Sequence, residues 1–165
     1  MKLRPLKFLK ELVIFFVMLT VVGSIVDIWR GKDIPKAHLP ALQGLSLQGQ
    51  KIDLHAQSKG QPVLVYFWGS WCGVCSFVSP SVDTLADYFS VITVALSSGN
   101  SAEVNEYLKV KELKFQVLND PDYRIGSQWS VQVTPTILVI KDGHIQHIVT
   151  GYASLFGMWW RMYFT

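Results

Sequence analysis

The sequence predicts an α/β domain with a mixed central sheet and helices on both faces, preceded by a short extension hairpin and one long apolar segment. Three observations lead there. After residue 60, greasy runs of strand length alternate with stretches of helical period. The last two strand-like runs are separated by Asp142-Gly143, a pair suited to a tight hairpin, so the sheet ends antiparallel. Ahead of all this stands LVIFFVMLTVVGSIV, residues 12 to 26, with no charge in it.

The N-terminus comes first. Lys2, Arg4, Lys7 and Lys10 against Glu11 account for the whole formal charge of +3, so the remainder of the chain is neutral overall. That excludes the basic face on which nucleic-acid binding depends, and no nucleic-acid partner is expected. Residues 1 to 11 read as a basic cytoplasmic segment and residues 12 to 29 as a transmembrane anchor, since a spanning helix takes about 20 mostly apolar residues. The cations precede the run, only Arg30 and Lys32 follow closely, and Trp29 suits the far interface. A cleaved leader starts the same way, but its cleavage site needs small residues; Val22-Gly23-Ser24 comes nearest and lies inside the apolar run. Either reading exports the rest of the chain. Residues 30 to 41, with two prolines and a glycine, read as a linker to a domain over 42 to 165.

Within that domain Leu45, Leu47, Ile52 and Leu54 flank Gly49 as a short hairpin. Val63 to Trp68 is apolar at every position, as in a central strand covered on both faces. Phe77, Val78, Val82, Leu85, Tyr88 and Phe89 then recur at helical spacing, with Pro80 a kink point. Val91 to Leu96 is a second buried strand. Asn100 with Glu103 opens a helix through Val104, Tyr107 and Leu108. A strand over Phe115 to Leu118, a short helix over Asp122 to Trp129, the hairpin of Thr136 to Ile140 with Ile145 to Val149, and a last helix over Ala153 to Phe164 complete the order.

Chemistry concentrates in Phe67-Trp68-Gly69-Ser70-Trp71-Cys72-Gly73-Val74-Cys75, which holds both cysteines of the chain. Cys72 falls at the first turn of the predicted helix, where unpaired backbone N–H groups and the helix dipole favour thiolate over thiol. Cys75 lies one turn further on the same face, close enough for a small-loop disulfide. The spacing makes Cys72 the exposed nucleophile and Cys75 the shielded resolving thiol of thiol–disulfide exchange. Gly73-Val74 carries no charge, so the direction of electron flow stays open. A structural zinc site wants four ligands, and no second cysteine pair exists; His38, His55, His144 and His147 are scattered. A stabilising disulfide is a poor reading because so short a loop removes little entropy from the unfolded chain. Two inert thiols remain a minority alternative, and so does a Cu(I) site, for which His144 is the one histidine worth testing.

The turn around the cysteines, together with Asn119-Asp120-Pro121-Asp122, Val133-Thr134-Pro135-Thr136 and Lys141-Asp142-Gly143-His144, resembles the thioredoxin-like proteins of the TlpA and ScsD type. These are membrane-anchored periplasmic disulfide oxidoreductases, the ScsD branch being tied to suppression of copper sensitivity. The resemblance covers about residues 42 to 152. It implies a thioredoxin fold, no cofactor and no metal, protein thiol and disulfide substrates, a membrane reductase as electron donor, an inner-membrane location with the C-terminal domain in the periplasm, and a reducing role linked to copper tolerance. A redox-inactive docking domain is the alternative. The resemblance also implies a cis bond before Pro135, with the Thr134 backbone and Trp71, Gly73 and Val74 contacting substrate. The chain departs from thioredoxins proper at Tyr66, where they place a buried acid; Asp120 is the nearest acid, better read as a loop or cap residue. Trp68 and Trp71 each read either as partner surface or as core. The aromatic tail reads as a helix covering the sheet, with the membrane interface or a partner as the other option.

Overall fold

A computed structural model describes residues 9–15, 17, 18, 21, 22, 34 and 39–165. The domain carries β1 (Gln43–Leu45), β2 (Lys51–Asp53), α1 (Leu54–Gln57), β3 (Val63–Trp68), α2 (Gly73–Ala86) and β4 (Ser90–Leu96). Then come α3 (Ser101–Val110), β5 (Val117–Asp120), α4 (Arg124–Gln128), β6 (Thr136–Lys141), β7 (His144–Thr150) and α5 (Leu155–Tyr163). Five strands form one sheet in the order β5-β4-β3-β6-β7, with β3, β4 and β5 parallel and β6 and β7 antiparallel to their neighbours. β1 and β2 make the separate extension hairpin, turned at Gly49, whose φ of 78° is one that glycine adopts without strain.

Strand alternation sorts the core into two layers. Leu64, Tyr66 and Trp68 of β3 pack with Cys75, Val78, Val82 and Leu85 of α2 and with Met158 and Met162 of α5. Val63, Val65 and Phe67 point the other way, against Ile52, Leu54, Leu118 and Trp129. A strand buried on both faces needs an apolar side chain at every position, which explains the unbroken run that the sequence shows there. The second layer also takes in Ile34, only 3% exposed, so the packed domain reaches back into the stretch read as linker.

Several local expectations shift for identifiable reasons. Leu54 leaves the hairpin because the Asp53 carboxylate accepts from Ala56 N–H at 3.1 Å and caps a single helical turn. β5 starts two residues later than predicted: Asp83 Oδ1 accepts from the N–H groups of Lys114 and Phe115, tying that approach to α2 instead of to a strand. The predicted capping box at Asn100 forms, its Oδ1 accepting from Ala102 and Glu103 while Glu103 Oε2 accepts from Asn100 N–H. Asp120 is a cap, as its position suggested; its two carboxylate oxygens accept from Arg124 N–H at 2.7 Å and Gly126 N–H at 2.9 Å, at the start of α4.

The proposed anchor falls mostly outside the described residues. Those within it that are described (12–15, 17, 18, 21 and 22) are helical, and each is exposed. Among the described residues no helix is long and apolar enough to cross a membrane.

Candidate active site

β3 delivers the chain to the turn that holds the cysteines, and α2 begins directly after it. Cys72 is the N-cap of α2, with extended backbone, and its Sγ accepts the N–H of Cys75 at 3.2 Å. Sulfur therefore occupies the place that a serine or aspartate oxygen fills in an ordinary cap, where N–H groups at the positive end of the helix favour a thiolate. The two cysteines are joined in a disulfide, with their Cα atoms 5.3 Å apart. The expectation of an openly exposed attacker is corrected in degree: Cys72 retains 8% exposure and Cys75 none. Only Cys72 can be reached from solvent, so the assignment of roles keeps its physical basis.

The turn is braced from behind. Ser98 Oγ accepts the N–H of Ser70 at 2.9 Å and donates to Leu96 O, while Cys72 N–H donates to Gly69 O. Trp71 Nε1 donates to Leu96 O at 3.1 Å, which fixes an indole that is 63% exposed on the residue next to Cys72. Gly69 makes room for it, since a Cβ there would stand 2.6 Å from the ring. Trp68 belongs to the core: it has no exposure, its Nε1 donates to Thr93 Oγ1, and its ring packs at a tilt against Tyr107 and edge-on against Phe115.

The Thr134–Pro135 peptide is cis. β3 and β6 run antiparallel with Phe67 opposite Thr136, so Thr134 and Pro135 lie just beyond that pair, at the end of the sheet where β3 hands over to the cysteine turn. Pro135 is buried and its carbonyl accepts from Gly151 N–H at 2.8 Å; Thr134 is half-buried. Trp71, Cys72, Gly73, Val74, Cys75, Thr134 and Pro135 thus gather at one end of the sheet. His144 does not join them. It pairs with Lys141 at the opposite end, too far along the strands to share a metal with the thiolates. Among the described residues no group of three or more His, Cys, Asp and Glu is placed to hold a metal.

Not every residue of the apolar period read from the sequence turns inward at this end. Phe77 is 74% exposed and Val74 44%, and the two lie one turn apart on α2. Cys75, Val78, Val82 and Leu85 make the inward stripe at i, i+3, i+7 and i+10, and Phe77 lies about 120° round the helix from the centre of that stripe, so a helical projection separates it. Tyr88 is likewise exposed, beyond the last turn of α2.

Beneath the couple, the Tyr66 hydroxyl lies 3.3 Å from Cys75 O, to which it donates, and 3.1 Å from Ser79 Oγ. Burial pushes the Tyr66 phenol well above its ordinary range, so it stays neutral and braces the first turns of α2 through hydrogen bonds instead of charge. Because the folded state holds that proton more tightly than the unfolded chain, the contribution is intact below the ordinary tyrosine value of 10.0 and is lost as pH rises above it. Tyr66→Phe is expected to cost about 1–2 kcal/mol at neutral pH and to flatten the loss of stability above pH 10.0, read by urea denaturation at a series of pH values. A variant as alkali-sensitive as the parent would remove Tyr66 as the cause.

The family model described as AhpC/TSA matches residues 31–148. A thioredoxin-like protein of Haemophilus influenzae is 36% identical over 96% of this chain and 95% of its own length. A thiol:disulfide interchange protein DsbE of Pseudomonas aeruginosa is 30% identical over 73% of this chain and 66% of its own. Among solved structures, StoA from Bacillus subtilis superposes with a TM-score of 0.66 at 22% identity, covering 74% of this chain and 96% of that one, and so shares the fold. With its cysteine couple at the start of α2, the chain belongs to the AhpC/TSA family and is a thioredoxin-like thiol–disulfide oxidoreductase.

Proposed function

We propose that this oxidoreductase is anchored in the inner membrane by residues 12 to 29, holds its domain in the periplasm, and acts as a reductant of protein disulfides. The observation that carries the chemistry is Cys72 Sγ at the helix N-cap, accepting a backbone N–H, with Cys75 fully buried behind it. In the reduced enzyme the Cys72 thiolate attacks one sulfur of a substrate disulfide. That bond breaks, the attacked sulfur joins Cys72 in a mixed disulfide, and the other substrate sulfur departs as thiolate and takes up a proton. Cys75 gives up its proton and attacks Cys72 Sγ, which closes the internal disulfide and releases the sulfur held in the mixed disulfide as a thiolate that is protonated in turn. Two electrons have passed to the substrate, and a membrane reductase with a dithiol of its own restores the couple.

Trp71, Val74 and Phe77 offer an apolar border to a substrate segment, while the half-buried backbone at Thr134 offers polar groups to an extended strand. Support for the anchor comes from the uncharged run after four cations and from the exposure of every described side chain within it. The link to copper tolerance rests on the resemblance to the ScsD type.

The reduction potential tests direction. Equilibration of the full chain with glutathione, followed by alkylation and mass spectrometry, is expected to place the Cys72–Cys75 couple nearer the thioredoxin value of about −270 mV than the value of about −120 mV typical of strong oxidants. A result at the oxidising end would reverse the proposed flow.

A further inference from the structure

Outside the redox site, α5 carries a run of exposed aromatic side chains. Met158 and Met162 face the core, and the opposite side of the helix shows Phe156, Trp159, Trp160 and Tyr163, continued by Phe164 beyond its end. These rings touch one another in sequence, with centroids 5.1 Å apart for Trp159–Tyr163 and 4.1 Å for Trp160–Phe164. A contiguous aromatic ridge in water marks a surface that something covers.

Its position indicates what covers it. The C-terminal end of α5 lies at the pole opposite Cys72: Tyr163 and Met162 line a hollow with Pro62, Tyr88 and Ser90, where β3 and β4 begin, and Lys141 Nζ donates to Thr165 O. The chain also enters the fold at this pole. Leu39 lines a second hollow with Ile140, Asp142 and Gly143, and Ile34 is buried in the core layer against which Leu39 packs. Between Trp29, the end of the proposed anchor, and Ile34 stand only residues 30 to 33. A chain that joins the domain through Leu39 at this pole presents the end of α5, in preference to the Cys72 pole, to the bilayer that holds its anchor.

We infer that the pole formed by Tyr88, Trp159, Trp160, Tyr163 and Phe164 docks on the lipid headgroup–acyl boundary and orients the redox site toward the periplasm. Trp and Tyr rings suit that boundary because one part of each is apolar and another is a hydrogen-bond donor. The inference rests on the anchored reading above, and the test separates the two.

The full chain carrying Trp29→Phe, which silences the tether's own indole, is reconstituted in phosphatidylethanolamine–phosphatidylglycerol vesicles with lipids brominated high on the acyl chain. Docking predicts quenching of tryptophan emission that falls at least about twofold when Trp159→Phe and Trp160→Phe are added, since the other indoles lie in the core or at the far pole. Tyr163→Ser with Phe164→Ser in the reporter chain should also reduce quenching, with exchange on a soluble peptide disulfide unchanged. A chain that alkaline carbonate strips from the vesicles defeats the anchor and this inference with it. A retained chain with unquenched Trp159 and Trp160 defeats docking alone, and so does a retained, unquenched chain that cross-links to a second copy through α5.

Discussion

Cys72→Ser is expected to abolish disulfide exchange, with the rate of insulin reduction falling by roughly 10³-fold or more, a rise in barrier of about 4 kcal/mol or more. Cys72 is the couple's one solvent-reachable sulfur and the one that occupies the N-cap of α2, so a serine hydroxyl, far less acidic and a poor leaving group, cannot replace it. Cys75→Ser should behave differently. Attack by Cys72 still proceeds, but nothing resolves the mixed disulfide, so the protein accumulates as a covalent adduct with its substrate that dithiothreitol releases. Non-reducing electrophoresis followed by mass spectrometry reads both variants. If Cys72→Ser traps substrate and Cys75→Ser does not, the roles are the reverse of those derived from burial.

The largest stability effect is expected at Trp68. Its side chain is wholly buried between Tyr66, Tyr107 and Phe115, and its indole N–H is satisfied by Thr93 Oγ1 at 3.2 Å. Trp68→Ala removes that packing at the centre of a sheet with little freedom to collapse, at a cost of about 3–5 kcal/mol. Trp71→Ala, three residues later and mostly exposed, gives up one hydrogen bond to Leu96 O and should cost about 1 kcal/mol or less. It should instead lower kcat/KM for protein disulfides, because the indole borders the couple. Urea denaturation of the full chain, kept oxidised throughout, compares the two. Similar midpoints for both variants would contradict the partition of these tryptophans into core and surface.

The contrast between Trp68 and Trp71 shows where sequence reasoning stops. Both flank the cysteines and both are equally apolar, yet one is packed by α3 and the loop after it, through Tyr107 and Phe115, and those partners come from some 40 residues away. Phe77 carries the same lesson in reverse: an aromatic in a helix of apolar period belongs to the core only if it lies on the inward stripe, and it does not. Local signals fared better. The capping box at Asn100, the Asp142-Gly143 turn and the doubly buried β3 each depend on interactions within a few residues or on a run of one residue type, and each forms as expected.

By itself, then, the sequence determined the order of strands and helices apart from the single turn of α1, the place of Cys72 at the start of a helix and of Cys75 one turn on, and hence the exchange chemistry, because period, capping and helix-end electrostatics act over short stretches of chain. Tertiary structure alone decided that Thr134–Pro135 meets the cysteine turn while His144 is carried to the other pole, that Tyr66 braces α2 as a neutral hydroxyl, that Ile34 is drawn into the core, and that the rings of α5 face outward. Each of these depends on strand register and burial between residues remote in sequence, which no local pattern encodes.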